Sequence, residues 1–112
     1  MIKSGVDLRG LKPQMAVAYT IISTIYHRHQ SQPCVVTSAS DGVHGPNSLH
    51  YQGLALDIRT RHVIPAMLRL IVRDLKNELG EQFDVVEEDI GGSNGHLHIE
   101  FDVKEPTKAA GV

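Results

Sequence analysis

Residues 96–103 read His-Leu-His-Ile-Glu-Phe-Asp-Val, an unbroken alternation of polar and apolar side chains. Successive side chains on an extended strand point to opposite faces, so Leu97, Ile99, Phe101 and Val103 can be buried together only if His96, His98, Glu100 and Asp102 share the other face. A helix would scatter the same residues around its circumference and leave no apolar stripe. The octet therefore commits the chain to a sheet with one covered and one polar face, and it sets two imidazoles at i and i+2 on the polar side.

The covered face needs partners, and two stretches supply them. Pro13 suits a first helical turn, where a missing N–H is harmless, and Met15, Ala18, Ile22 and Ile25 follow at helical steps with Ile21 widening the stripe. This predicts a helix over about residues 12–30, with His27 and His29 at its C-terminal end, where the helix dipole and solvent account for them. Pro65 opens a second amphipathic pattern, Ile64, Leu68, Ile71, Leu75 and Leu79, with Gly80 as its C-cap and Arg69, Arg73, Lys76 and Asn77 off the apolar face. Residues 34–37 and 83–86 read as further strands, and residues 54–58 alternate so that Ala55 and Asp57 share one face while Leu54, Leu56 and Ile58 take the other. The expected fold class is α+β: a small, mainly antiparallel sheet with two helices packed on one face and a polar site on the other.

With 112 residues, 41% of them hydrophobic, the chain has material for one core, so residues 1–112 are read as a single domain with its core at 12–103 and a frayed tail at 104–112. A net charge of −2 and a pI near 6.4 give no basic footprint for nucleic acid. Charged residues interrupt every apolar stretch near Met1, which argues against a membrane span or a secretory signal. The single Cys34 cannot form an internal disulfide and reads as a small buried hydrophobe.

Asp57 sits inside an apolar run, where an unpaired carboxylate is costly to bury, so it calls for a cation, a metal or several donors, with hydrogen bonding in a turn as the plain alternative. The loop at residues 38–47 brings in Ser48 and His50, and Gly53 allows a tight bend before Asp57. Adding His96 and His98 gives a histidine-and-aspartate set without cysteine, the composition of a zinc site that keeps one position open for water.

The spacing Ser48-x-His50-x-x-Gly53-x-Ala55-x-Asp57, followed by His96-x-His98, resembles the zinc peptidases that cut bacterial cell-wall peptides. These include D-alanyl-D-alanine carboxypeptidases and dipeptidases and the phage endolysins that are L-alanyl-D-glutamate endopeptidases, which share a metal-binding core with lysostaphin-type enzymes and the hedgehog domain. The resemblance covers about residues 12–103. It implies a bound Zn2+ held by His50, Asp57 and His98, with His96 beside the metal to hold a developing oxyanion or donate a proton, and Ser48 lining the site. Two positions depart from the family pattern. Where many relatives carry an acidic base three residues before the last zinc histidine, this chain has Gly95, so Glu88 and His96 are the candidate catalytic groups, with Glu100 behind a ligand. Glu88 is expected to reach the site by the folding back of the glycine-rich loop that follows it. The arginine that many relatives place in the loop before the first motif is absent from residues 38–41, which favours an endopeptidase and leaves Arg59 or Arg61 to bind a substrate carboxylate.

The resemblance implies a peptidoglycan stem peptide as partner and, given the chain's size, a phage or prophage member. Such a protein is expected to be made in the bacterial cytoplasm and to reach the wall after lysis, by translocation or within a phage particle, where other particle proteins become partners. A non-catalytic zinc-binding domain and an iron oxygenase using two histidines and one carboxylate are the competing readings.

Overall fold

The computed structural model describes residues 1–39 and 52–102. The expected loop at 38–47, Ser48, His50, Val103 and the tail at 104–112 thus lie wholly or mostly outside the described residues. Helix α1 (Pro13–Arg28) is followed by strands β1 (Val36–Ser38) and β2 (Ala55–Arg59), helix α2 (Pro65–Leu79), and strands β3 (Phe83–Glu88) and β4 (His96–Phe101). The strands form one antiparallel sheet in the order β1-β2-β4-β3.

Both helices begin with a proline at the first turn, where four N–H groups lack helical partners in any case. α1 buries Met15, Ala18, Ile22, Ile25 and Tyr26, and α2 buries Leu68, Ile71, Val72 and Leu75. These side chains meet Leu56 and Ile58 from β2 and Leu97 and Ile99 from β4 in one core. The central strands thus turn their apolar residues toward the helices and their histidines and carboxylates away from them. At the sheet's lower end Phe83 and Phe101 face each other across β3 and β4, ring centres 5.1 Å apart. Among the described residues no helix is long and apolar enough to cross a membrane.

Two contacts fix the entrance to β2. Gly53 has φ +73°, and a Cβ there would lie 2.0 Å from the Gly10 carbonyl oxygen, so no larger residue fits without moving the backbone. The Lys12 N–H donates to the Gly53 carbonyl at 2.9 Å, tying the start of α1 to the same point. At the far end of β2 the fully buried Tyr26 donates its hydroxyl to the Arg59 carbonyl at 2.9 Å. The helix therefore pins both ends of the strand that carries Asp57.

Several expectations change in detail. β1 begins at Val36 rather than Cys34, although Cys34 and Val35 are both buried, and β3 runs on to Glu88 instead of stopping at Val86. Ile64 is 59% exposed because it precedes the first turn of α2 and so lies outside the helix's apolar face. Burial pushes the Cys34 thiol up to about 11, which keeps it protonated and unreactive at neutral pH.

The junction of the helices is polar. Asp74 is buried on α2 and accepts from Arg28 at 3.1 Å and Arg73 at 2.9 Å, while His29 Nε2 lies 2.6 Å from its Oδ2. His29 and Arg73, expected to be solvated, are thus anchored by a carboxylate that the α2 step hides. The hydrogen bond from His29, then those from the two arginines, hold the Asp74 carboxyl down at about 2, below its ordinary 3.8. A carboxyl with a depressed folded value stabilises the fold above its ordinary value and loses that contribution as pH falls through the folded value. Denaturant titrations of the wild type should show this component intact at pH 5 and disappearing between about pH 4 and pH 2. Asp74→Asn should be less stable at pH 6 and should lose correspondingly less over the acid range.

Candidate metal centre

The register of the three strands assembles the polar face. Asp57 of β2 stands opposite His98 of β4, and Arg59 stands opposite His96. On the other side of β4, Val86 pairs with His98 and Glu88 pairs with His96. Side chains directly across an antiparallel pair lie about 5 Å apart at Cβ, so the register alone brings Asp57, His98, His96 and Glu88 within reach of each other. Ala55, fully buried beside Asp57, adds no bulk above the sheet.

His98 lies between two carboxylates. Its Nδ1 is 3.0 Å from Asp57 Oδ1, and its Nε2 is 2.6 Å from Glu100 Oε1. The Asp57 contact, with a further contribution from Glu100 against an opposing effect of burial, raises His98 to about 9. His96 places Nδ1 2.8 Å from the Asn94 carbonyl and Nε2 2.8 Å from Glu88 Oε1, with Asp57 Oδ2 at 3.8 Å. Burial works against the protonated form of His96, but Asn94, Asp57 and Glu88 together raise its pKa above the ordinary 6.5.

Asp57, Glu88 and His98 each offer one donor atom, all within 4.8 Å of one another. Three features suit a divalent cation. Two donors bound to one tetrahedral zinc at about 2.05 Å sit roughly 3.3 Å apart, close to the 3.0 Å between Asp57 Oδ1 and His98 Nδ1. Glu100 already holds the far nitrogen of His98, the carboxylate–histidine arrangement that fixes a metal-binding imidazole in one tautomer. Asp57, Glu88 and Glu100 also bring three carboxylates to two imidazoles, an excess of negative charge that a cation would offset. A proton at His98 competes with the metal for Nδ1, so affinity should weaken as pH falls.

Of the residues read from the sequence, Asp57, Glu88, His96 and His98 converge, and Arg59 lies on the same face opposite His96. Ser48 and His50 lie outside the described residues. Glu88 does not reach the site by a loop folding back, as expected; it is the last residue of β3 and arrives by direct pairing with His96. The Asn94 carbonyl was not anticipated, because a backbone acceptor leaves no mark on residue type. A second carboxylate group on this face joins Glu100 and Asp102, both read from the alternation, with Asp84, which pairing with Glu100 brings in and the sequence did not reveal.

The fold and site together define an α+β domain carrying an imidazole–carboxylate cluster on the sheet face turned away from the helices. Comparisons of the chain with known protein families, with curated proteins and with solved structures return no match.

If this cluster holds zinc, His98→Ala and Asp57→Ala should bind it at least 100-fold more weakly than wild type, since each removes a donor. Glu100→Gln should weaken binding by about 10- to 100-fold, the usual scale for a group that orients a ligand. Equilibrium dialysis against a competing chelator reads all three. Unchanged affinity in His98→Ala would remove this face as the metal site.

Proposed function

We propose that this protein is a zinc-dependent peptidase acting on the stem or cross-link peptides of bacterial peptidoglycan, as an endopeptidase rather than a carboxypeptidase. The observation that carries the reading is the convergence of Asp57, Glu88 and His98 within 4.8 Å, with His96 in contact with Glu88. The family resemblance of the Ser48–Asp57 spacing and the His96–His98 pair supplies the substrate class. A zinc ion bound here would polarise the scissile carbonyl and lower the pKa of a bound water to about 7.

The chain's own groups then have separable tasks. Asp57 and His98 would hold the ion, with His50 as the third ligand that the resemblance implies, and Glu100 would keep His98 turned toward it. Glu88 accepts the proton of the attacking water at a carboxylate oxygen and delivers it to the leaving amine. His96, protonated and fixed by Asn94, donates Nε2–H to the carbonyl oxygen as negative charge develops there. Arg59, which pairs with His96 across the strands, would meet a substrate carboxylate.

One observation favours a second reading. Glu88 lies close enough to serve as a ligand itself, and a site closed by Glu88, Asp57 and the histidines would be structural, the non-catalytic zinc domain. Glu88→Gln separates the two. As a base, it should keep its zinc while kcat falls by about 10²- to 10⁴-fold; as a ligand, it should lose zinc.

Zinc-loaded protein incubated with purified peptidoglycans across neutral pH should release new amino and carboxyl termini detectable by mass spectrometry. A chelator should stop the release and added zinc should restore it. Absence of new termini from diverse peptidoglycans would overturn the peptidase reading.

A further inference from the structure

We infer that Asp89 is a positioning residue whose carboxylate locks the turn between β3 and β4, so that the Asn94 carbonyl holds the His96 imidazole against Glu88. The kinetic part of this inference rests on the peptidase reading; the structural part does not.

The turn begins on an unusual backbone. Asp89 has φ +49°, in the left-handed region that Asp tolerates better than most side chains. From there its Oδ2 accepts the Asn94 N–H at 3.2 Å, and its carbonyl accepts the Gly92 N–H at 2.9 Å. The Gly92 carbonyl accepts the Gly95 N–H at 3.3 Å, and the Gly95 carbonyl accepts the Thr60 N–H at 3.1 Å, joining the turn to the end of β2. The backbone is wrapped closely around the carboxylate. A Cβ at Gly92 would lie 2.4 Å from Asp89 Oδ1, and one at Gly95 would lie 2.9 Å from Thr60 Oγ1 and 3.0 Å from the Asp89 carbonyl oxygen.

This wrapping sets the position of one atom that matters. The Asn94 carbonyl lies 2.8 Å from His96 Nδ1. A carbonyl can only accept, so Nδ1 carries a hydrogen and Nε2 is the nitrogen presented to Glu88 at 2.8 Å. Asn94 is exposed, and its N–H is held by Asp89 Oδ2 two residues before β4 begins. Without the Asp89 contact, the Asn94–Gly95 peptide keeps only its longer bond to the Gly92 carbonyl, and the imidazole is freer to rotate away from Glu88. Asp89 follows Glu88 in the chain, but its carboxylate accepts from the Asn94 N–H, so it acts on His96 through Asn94.

Asp89→Ala should leave zinc affinity and KM unchanged while kcat falls by about 10- to 100-fold, the scale of other orienting contacts. Asp89→Asn keeps an acceptor oxygen and should recover most of the loss. Gly92→Ala should reproduce the defect by displacing the carboxylate, yet adding Gly92→Ala to Asp89→Ala should cause no further loss, because the obstructing carboxylate is gone. The ring Nδ1–H of His96, followed by NMR in metal-free protein, should exchange slowly in wild type and Asp89→Asn and rapidly in Asp89→Ala. That measurement stands without turnover, so an inactive wild type would sink the peptidase reading and leave this inference to be decided by the ring proton. If Asp89→Ala does not fold, Gly92→Ala makes the same measurement. A His96 ring proton equally protected in Asp89→Ala and wild type, or additive losses in the double variant, would overturn the positioning role.

Discussion

The pairing of β4 between β2 and β3 is the constraint on which the rest depends. Its register sets Asp57 and Val86 on either side of His98, and Arg59 and Glu88 on either side of His96. A shift of one residue in either ladder would turn the histidines or their carboxylates toward the helices, where no described partner could satisfy them. The same shift would expose Leu97 and Ile99, both fully buried. Burial on one face and polar assembly on the other therefore enforce a single register. The core specifies the site without touching it.

The helices and the octet at residues 96–103 were legible because their signals are local. Prolines mark both helix starts, three- and four-residue steps mark their buried faces, and the alternation from His96 shows which side chains must share a surface. Asp57 was legible for a different reason: a carboxylate amid Leu54, Leu56 and Ile58 poses an electrostatic problem that residue type alone reveals. Glu88 was misplaced because Glu87 and Glu88 have low strand propensity, and only the ladder with β4 carries the strand through them. Asp74 and Tyr26 were missed because their partners, a cluster from the other helix and the Arg59 carbonyl, are distant in the chain. Local pattern showed which residues were polar and buried; the pairing across strands and helices decided what they met.

The two histidines differ by their neighbours rather than by their place in the strand. His98 has carboxylates at both nitrogens, Asp57 and Glu100, and is the more strongly held as a cation. Such a site is suited to exchanging its proton for a metal ion, with Glu100 remaining on the far nitrogen. His96 has a carbonyl at one nitrogen and a carboxylate at the other, an arrangement suited to moving or donating a proton. A division of labour within one His-x-His pair thus follows from what each ring faces.

The central claim, that this sheet face gathers histidine and carboxylate donors around one zinc ion, is tested most directly by X-ray absorption at the zinc edge of the zinc-loaded protein. The account predicts nitrogen and oxygen neighbours at about 2.0–2.1 Å, the outer scattering of coordinated imidazole, and no sulfur near 2.3 Å. His98→Ala should diminish the imidazole signal. A spectrum with a sulfur neighbour, which would implicate Cys34, or with oxygen neighbours only, would contradict it.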